Sequence, residues 1–345
     1  MRLPKDAAGT VRRLLTHPSV LSPATGIAVS VILLLFTAQE PLMAIGGFMT
    51  GCFTSVYYFG SMLSTAALYM IAGTGAAFAI KSGNLNLGGE GQIYAGGFIT
   101  AVILTRAAVP APIALLYALA AALIVPALLA SLSAFLRLLK GANVLLTSFL
   151  ISAAVIPFID ALIAGPFRGS SNNLLATGYI ADQLRLPQLM PPSPLSPAVF
   201  IALICCLLAA RIMFGTTAGR HLQVWGAAPE FARYSGYSVR RAVYIPLAAS
   251  GALHGLTGFF AITGTYYTCH SGFYSGMGWS ALSCALIACS HPAAVIPSGL
   301  ILAWLNTAAN KAVLSQNFSF DITSLIQGTV LFCIAINFIA RSRRS

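Results

Sequence analysis

Charge is what this sequence has least of. Only 8% of its 345 residues are charged, and only seven are acidic. A soluble domain carries roughly 25% charged residues. With 58% hydrophobic residues and a mean hydropathy of +0.85, the chain reads as a polytopic membrane protein. Apolar runs recur from Ser19 to Ala340 with no long polar domain between them, which argues for one transmembrane domain over 1–345 and against a separate soluble domain. Its seven cysteines, at 52, 205, 206, 269, 284, 289 and 333, have no zinc-ligand spacing, so they read as small apolar packing residues and no metal site is expected. A phosphate-binding loop is missing as well. Gly75-Ala-Ala-Phe-Ala-Ile-Lys81-Ser82 has Ile80 where a glycine is required, so the chain should not hydrolyse ATP by itself. There is no nucleophile elbow and no zinc-protease pattern. No cleavable signal peptide is evident, because the basic start (Arg2, Lys5, Arg12, Arg13) leads into an apolar run at 20–36 of about spanning length.

Basic residues are in excess, with 19 Lys and Arg and a net charge of +12. In a membrane protein this reflects cytoplasmic loops rather than nucleic-acid binding. A spanning helix needs about 20 predominantly apolar residues. On that basis the sequence suggests an all-α fold of ten spans: about 20–37, 57–80, the glycine-rich stretch to 105, 112–136 (with Pro126 a possible kink), 143–164, 197–214, 242–264, 274–290, 293–310 and 322–340. Residues 39–56 suggest a short surface or half-inserted helix, 165–196 the longest polar loop and 215–241 a basic loop. Fifteen of the 19 basic residues then fall on the side of the termini and four (Arg106, Arg168, Arg185, Lys311) on the other. The positive-inside rule puts the N-terminal 1–19, the loop 215–241 and the tail 341–345 in the cytoplasm.

Residues 81–98 hold the densest polar chemistry. Six glycines (83, 88, 89, 91, 96, 97) let the backbone break, and Asn84, Asn86, Glu90 and Gln92 supply hydrogen-bonding groups. Broken backbone at membrane depth must be buried in protein or line a wet cavity. Glu90 reads either as lining a solute path or as capping the helix that follows, where a carboxylate is electrostatically favoured. Asp160 and Asp321 read as interfacial, and His254 as a hydrogen-bonded packing residue. A second glycine- and tyrosine-rich stretch, 265–277, follows the seventh span. Ser271-Gly272 there echoes Ser82-Gly83, on the opposite side of the membrane. That is the pattern of an inverted-topology repeat with broken helices at both stretches, and it points to a transporter with its path at the repeat interface. Tyr274 and Trp279 beside the second break would offer aromatic faces to a sugar or base.

The basic loop reads Gly226-Ala-Ala-Pro-Glu-Phe-Ala-Arg-Tyr-Ser-Gly236. Pro229 suits the first turn of a short helix and Gly236 its stop. Phe231 and Tyr234, three apart, share a face that would suit a protein partner; a plain basic loop near anionic lipid is the alternative.

Two of these stretches carry a family resemblance. Ser82-Gly83-Asn84-Leu85-Asn86-Leu87-Gly88-Gly89-Glu90-Gly91-Gln92 resembles the Asn-Ile-Gly-(Gly/Ala)-Glu-Gly-Gln signature of inner-membrane permeases of ABC importers, in the nucleoside and simple-sugar branch of the ribose/branched-chain-amino-acid superfamily. The basic loop resembles the Gly-x-Asn-Pro-x-Ala-Ala-x-Tyr-x-Gly coupling motif at Gly226, Pro229, Ala232, Tyr234 and Gly236, with Ala228 and Phe231 departing. Ser250-Gly-Ala-Leu-His-Gly-Leu-Thr-Gly258 resembles Ser-Gly-Ala-Leu-Ala-Gly-Leu-Ala-Gly, with His254 and Thr257 departing. The resemblance runs over about 57–300. It implies a subunit of the bacterial inner membrane, paired with a second permease or a second copy, a cytoplasmic ATPase holding ATP and Mg, and an extracytoplasmic solute-binding protein. The chain itself would need no cofactor. The solute would be small and polar, a nucleoside or simple sugar. The competing class is an ion-coupled secondary transporter using Glu90 and Asp160 as proton sites.

Overall fold

The computed structural model describes residues 18–37, 40–170 and 174–316, with 328, 329 and 332 besides. The expected terminal stretches, apart from residues 18 and 19, and the expected span at 322–340, apart from 328, 329 and 332, lie outside the described residues. Among the described residues the fold is helical, with one isolated β-bridge between Ala176 and His270. The helices are α1 (Pro18–Thr37), α2 (Pro41–Thr50), α3 (Val56–Lys81), α4 (Gly89–Thr105), α5 (Ala111–Lys140), α6 (Val144–Ala164), α7 (Ala198–Gly215), α8 (Thr217–Ala227), α9 (Pro229–Tyr234), α10 (Val239–Ala261), α11 (Met277–Ile287) and α12 (Val295–Gln316). Six of them, α3, α5, α6, α7, α10 continued to Tyr266, and α12 entered from Pro292, are long and apolar enough to cross a membrane.

One expected span is corrected. Residues 274–290 yield only α11, 11 residues long. At about 1.5 Å per residue it reaches ~16 Å, near half the ~30 Å of bilayer hydrocarbon. Gly276, with φ +75°, and the irregular backbone before it occupy the rest. The span expected from the first glycine-rich stretch is also a partial helix. Ser82–Gly88 is non-helical, and α4 then runs 17 residues from Gly89.

α3 and α10 form the centre, and α5, α6 and α7 the periphery. In the most apolar window of α3 and of α10, 83% and 72% of residues are buried, against 22–28% in the three outer helices. The outer helices present Leu116, Ile124, Leu146, Leu150, Ile204 and Leu207 outward. Lipid chains are as apolar as leucine, so close backbone packing, not hydrophobic burial, must bring the central helices together. Glycine permits it. A Cβ on Gly255 of α10 would meet the Ala122 carbonyl of α5, and one on Gly258 would meet the Ile93 carbonyl of α4. A Cβ on Gly96 would lie 2.6 Å from the Gly255 Cα. α10 is thus wedged between α4 and α5 by residues with no side chain. Pro126 lies inside α5, which runs on through it, and packs against the same glycine face.

Candidate functional site

Two helix N-termini meet where the breaks end. α4 and α11 start at Gly89 and Met277, and their first amides have no partner within their own helix. Neither start has a side-chain cap from the residue before it. Glu90 supplies one across the chain. Its Oε1 accepts the backbone N–H of Gly278 at 2.8 Å and of Trp279 at 3.2 Å. One buried carboxylate therefore sits in the first turn of α4 and caps α11, where both helix dipoles favour negative charge. The backbones touch as well. A Cβ on Gly89 would lie 3.1 Å from the Gly278 Cα. Capping was one of the two sequence readings of Glu90, but the helix it caps is α11 rather than its own.

The other polar residues of the first break are equally committed. Asn86 accepts the Gly88 N–H at 2.9 Å and donates to Gln92 Oε1 at 2.9 Å and to Ser250 Oγ at 3.0 Å. Gln92 Oε1 also lies 2.7 Å from His254 Nδ1, which must donate, since an amide oxygen only accepts. His254 is thus the hydrogen-bonded residue expected of it. Asn84 donates to the Ser82 and Ala242 carbonyls, both at 2.9 Å, and accepts from Arg137 at 2.8 Å. On α6, Ser148 and Ser152 accept the free N–H groups of Leu87 and Gly91 at 3.0 and 2.7 Å. Those two serines escaped the sequence reading, and Ser250 entered it only as the first residue of a family motif, without a role. A serine pair four apart on an otherwise apolar helix was the available signal.

The second break is tied to the first and to the loop before α7. Asp160 Oδ1 accepts from Tyr94 Oη at 2.5 Å and from Ser271 Oγ at 2.6 Å. Tyr274 packs its ring against Tyr94, centroids 4.9 Å apart. Loop residues Thr177, Ile180 and Leu186 donate backbone N–H bonds, each at 2.9 Å, to the carbonyls of Cys269, Tyr267 and Thr263. Of the residues expected to line a path, the structure brings Glu90 to Trp279, and Asn86 to Gln92. Asn84 stands apart, against α5 and α10.

None of those six residues lines the polar cavity beside them. That cavity has a volume of about 330 Å³. On α3 it is bounded by Tyr57, Ser61, Thr65 and Tyr69. Facing them are Tyr266 and Ser275 of the second break, Met277 at the start of α11, and Asn306 and Asn310 of α12. No acidic, basic or histidine side chain is among the lining residues.

At the other end of α3 lies the basic loop, folded as α8 and α9. Pro229 opens α9, and Gly236, with φ +78°, lies just beyond its end. Ala232 is buried on one face with Leu222 and Trp225, while Phe231 and Tyr234 are 63% and 88% exposed. Gly226 rests on the first break. A Cβ there would lie 2.9 Å from the Gly83 nitrogen, and Gly83 itself, at φ +69°, takes a backbone shape suited to glycine.

Comparison with known proteins agrees with this architecture. Residues 58–335 match the family described as "Branched-chain amino acid transport system / permease component". The chain is 33% identical over 318 residues to the "Probable riboflavin import permease protein RfuC" of Treponema pallidum (strain Nichols), covering 92% of this chain and 84% of that one. It is 25% identical to the glucose ABC transporter permease protein TsgB13 of Haloferax volcanii, over 94% of this chain and 88% of the relative. It is 22% identical to the guanosine ABC transporter permease protein NupP of Bacillus subtilis (strain 168), over 92% of each. The chain belongs to this permease family, and it is a multi-pass membrane subunit of an ABC importer for a small polar solute.

Proposed function

We propose that the chain forms the transmembrane passage of an inner-membrane complex driven by a separate ATPase that binds ATP and Mg. In this reading both termini and residues 215–241 face the cytoplasm. A second permease, or a second copy, completes the passage, and a solute-binding protein delivers from outside. Gly226, Pro229, Phe231, Ala232, Tyr234 and Gly236 form the coupling element, with Phe231 and Tyr234 as the surface offered to the ATPase.

The observation that carries this reading is the seat of Gly226 on the Lys81–Gly83 backbone. A push on α9 reaches the first break without an intervening flexible segment. The break leads straight into α4, and Glu90 then passes the displacement to α11. Asn84, Asn86, Glu90 and Gln92, with Tyr274 and Trp279, thus form the frame of the passage, holding two partial helices that rearrange when access alternates. The meeting of two helix N-termini, one after each glycine-rich break, supports the reading of an inverted repeat. If α4 and α11, each with the glycine-rich break before it, are counted as one broken span apiece, ten spans remain the proposed count, with the tenth at 322–340.

For the solute, the names of the relatives include a flavin, a nucleoside and a sugar. A neutral molecule rich in hydroxyl groups is common to all three. The test is uptake of labelled riboflavin, guanosine and glucose by cells carrying or lacking the chain together with its partner subunits. One of the three should accumulate only where the chain is present, and equal accumulation without it would refute the reading.

A further inference from the structure

The cavity between α3, the second break and α12 has a lining that no part of the coupling or capping network uses. Its volume, about 330 Å³, falls at the lower end of small-molecule sites, roughly 300–1,000 Å³. The wall is polar but uncharged, with tyrosine rings at 57, 69 and 266 and hydroxyl or amide groups between them. Ser61 Oγ is buried and has no hydrogen-bond partner, an arrangement that calls for a ligand or water. The floor adjoins the start of α11 that Glu90 caps. Met277 lines the cavity, and the next two residues donate their amides to Glu90.

We infer that this cavity holds the solute in transit and admits only an uncharged molecule that combines a planar ring or sugar face with hydroxyl groups. The inference rests on the importer reading and deepens it. Tyrosines offer flat faces at low conformational cost, and the hydroxyls of Ser61 and Thr65, with the amides of Asn306 and Asn310, which already share one hydrogen bond at 3.1 Å, match neutral donors and acceptors. A phosphate or carboxylate here would be desolvated with no cation to pair with, which costs far more than burying a hydroxyl. The cavity is therefore a filter for charge, separate from any choice made by the binding protein. Met277, in its lining, immediately precedes the two amides that Glu90 holds, so an occupant bears on the residues that would open.

The test places a reporter in the wall. Asn310→Cys is made in the complex of this chain with its permease and ATPase partners, without the binding protein. Alkylation at position 310 is followed by mass spectrometry with riboflavin, guanosine or glucose present, and with the corresponding phosphate monoesters. One neutral solute is expected to slow alkylation by about fivefold at saturation, and its phosphate ester to leave the rate unchanged. No protection by any of the three, or equal protection by the ester, overturns the inference. Thr65→Val, which keeps the volume and removes the hydroxyl, is the second variant. In the complete complex it is expected to lower the uptake rate by about tenfold, equivalent to one lost hydrogen bond to the solute. An unchanged rate also overturns the cavity assignment. ATP-dependent uptake by the unaltered complex is measured in parallel, and its absence counts against the importer reading, not the cavity.

Discussion

Glu90 and Gly278 are 188 positions apart, yet the carboxylate of one accepts the backbone amide of the other at 2.8 Å. The bond joins the starts of two partial helices, each entered from a glycine-rich break. In a membrane the free amides of a helix start have no water to turn to, so a partner must come from the protein. Glu90 is that partner for α11, and its charge answers the dipoles of both helices.

Glu90→Gln keeps the acceptor oxygen and the shape but removes the charge. A hydrogen bond to a charged group contributes about 1.5–3 kcal/mol, so a part of that should be lost from the closed junction. Transport is expected to fall by about tenfold in a complex of normal abundance, since about 1.4 kcal/mol is one decade. Initial uptake rates in proteoliposomes, normalised to protein by immunoblot, check this. Full activity would make Glu90 a structural cap only.

Gly255→Ala tests the packing of the centre. The added methyl group has to displace the Ala122 carbonyl, which is backbone and cannot turn aside. Overpacking of this kind costs about 1–3 kcal/mol. A lower melting temperature in detergent is expected, whereas Gly236→Ala, whose Cβ meets no atom within 4 Å, should be affected only through its positive φ.

How much of this could be read from the sequence differs by feature. Apolar runs are a local property, so α3, α5, α6, α7 and α10 lie within a few residues of the expected spans. Pro229 and Gly236 likewise mark α9, because capping depends on neighbours. Residues 274–290 suggest only a short, polar span from sequence, and the helix is shorter still because Ser275 and Gly276 before it and Cys289 and Ser290 after it hold positive φ. The partners of Glu90, Asn86 and Gln92 depend on α10 and α11 folding back onto α4, which no spacing records. The cavity was illegible for the same reason. Its serines, tyrosines and asparagines stretch from 57 to 310, and each is unremarkable where it stands.

Phe231 and Tyr234 contribute little to the fold, being largely exposed. Replacing Pro229 and Tyr234 together should leave insertion intact and uncouple ATP hydrolysis from uptake. The ratio of solute carried to ATP hydrolysed is the quantity to measure, and it is expected to fall by about tenfold or more, on the scale of an interface anchor lost. A ratio equal to that of the unaltered complex would remove α9 from the coupling path.

Orientation is open to direct labelling. Tyr179 and Tyr234 are both exposed, and the proposed topology puts them on opposite sides. Tyr179→Cys should react with an impermeant thiol reagent in intact cells and Tyr234→Cys only after permeabilisation. The reverse pattern would invert the topology and with it the assignment of the ATPase surface.

The energy source decides between the importer and an ion-coupled transporter. Asp160 is held by Tyr94 and Ser271 at 2.5 and 2.6 Å, which gives it a structural task between α4, α6 and the second break. The most direct measurement is solute uptake by the complete complex in proteoliposomes, with ATP supplied to the ATPase and with or without a protonophore, in the unaltered chain and in Asp160→Asn. Uptake is expected to require ATP, to survive the protonophore, and to persist in Asp160→Asn at a rate within about threefold of the unaltered chain, since both bonds go to Oδ1 and an amide oxygen, with two lone pairs, can accept both. Uptake that needs no ATP and collapses with the protonophore or in Asp160→Asn would contradict the importer reading.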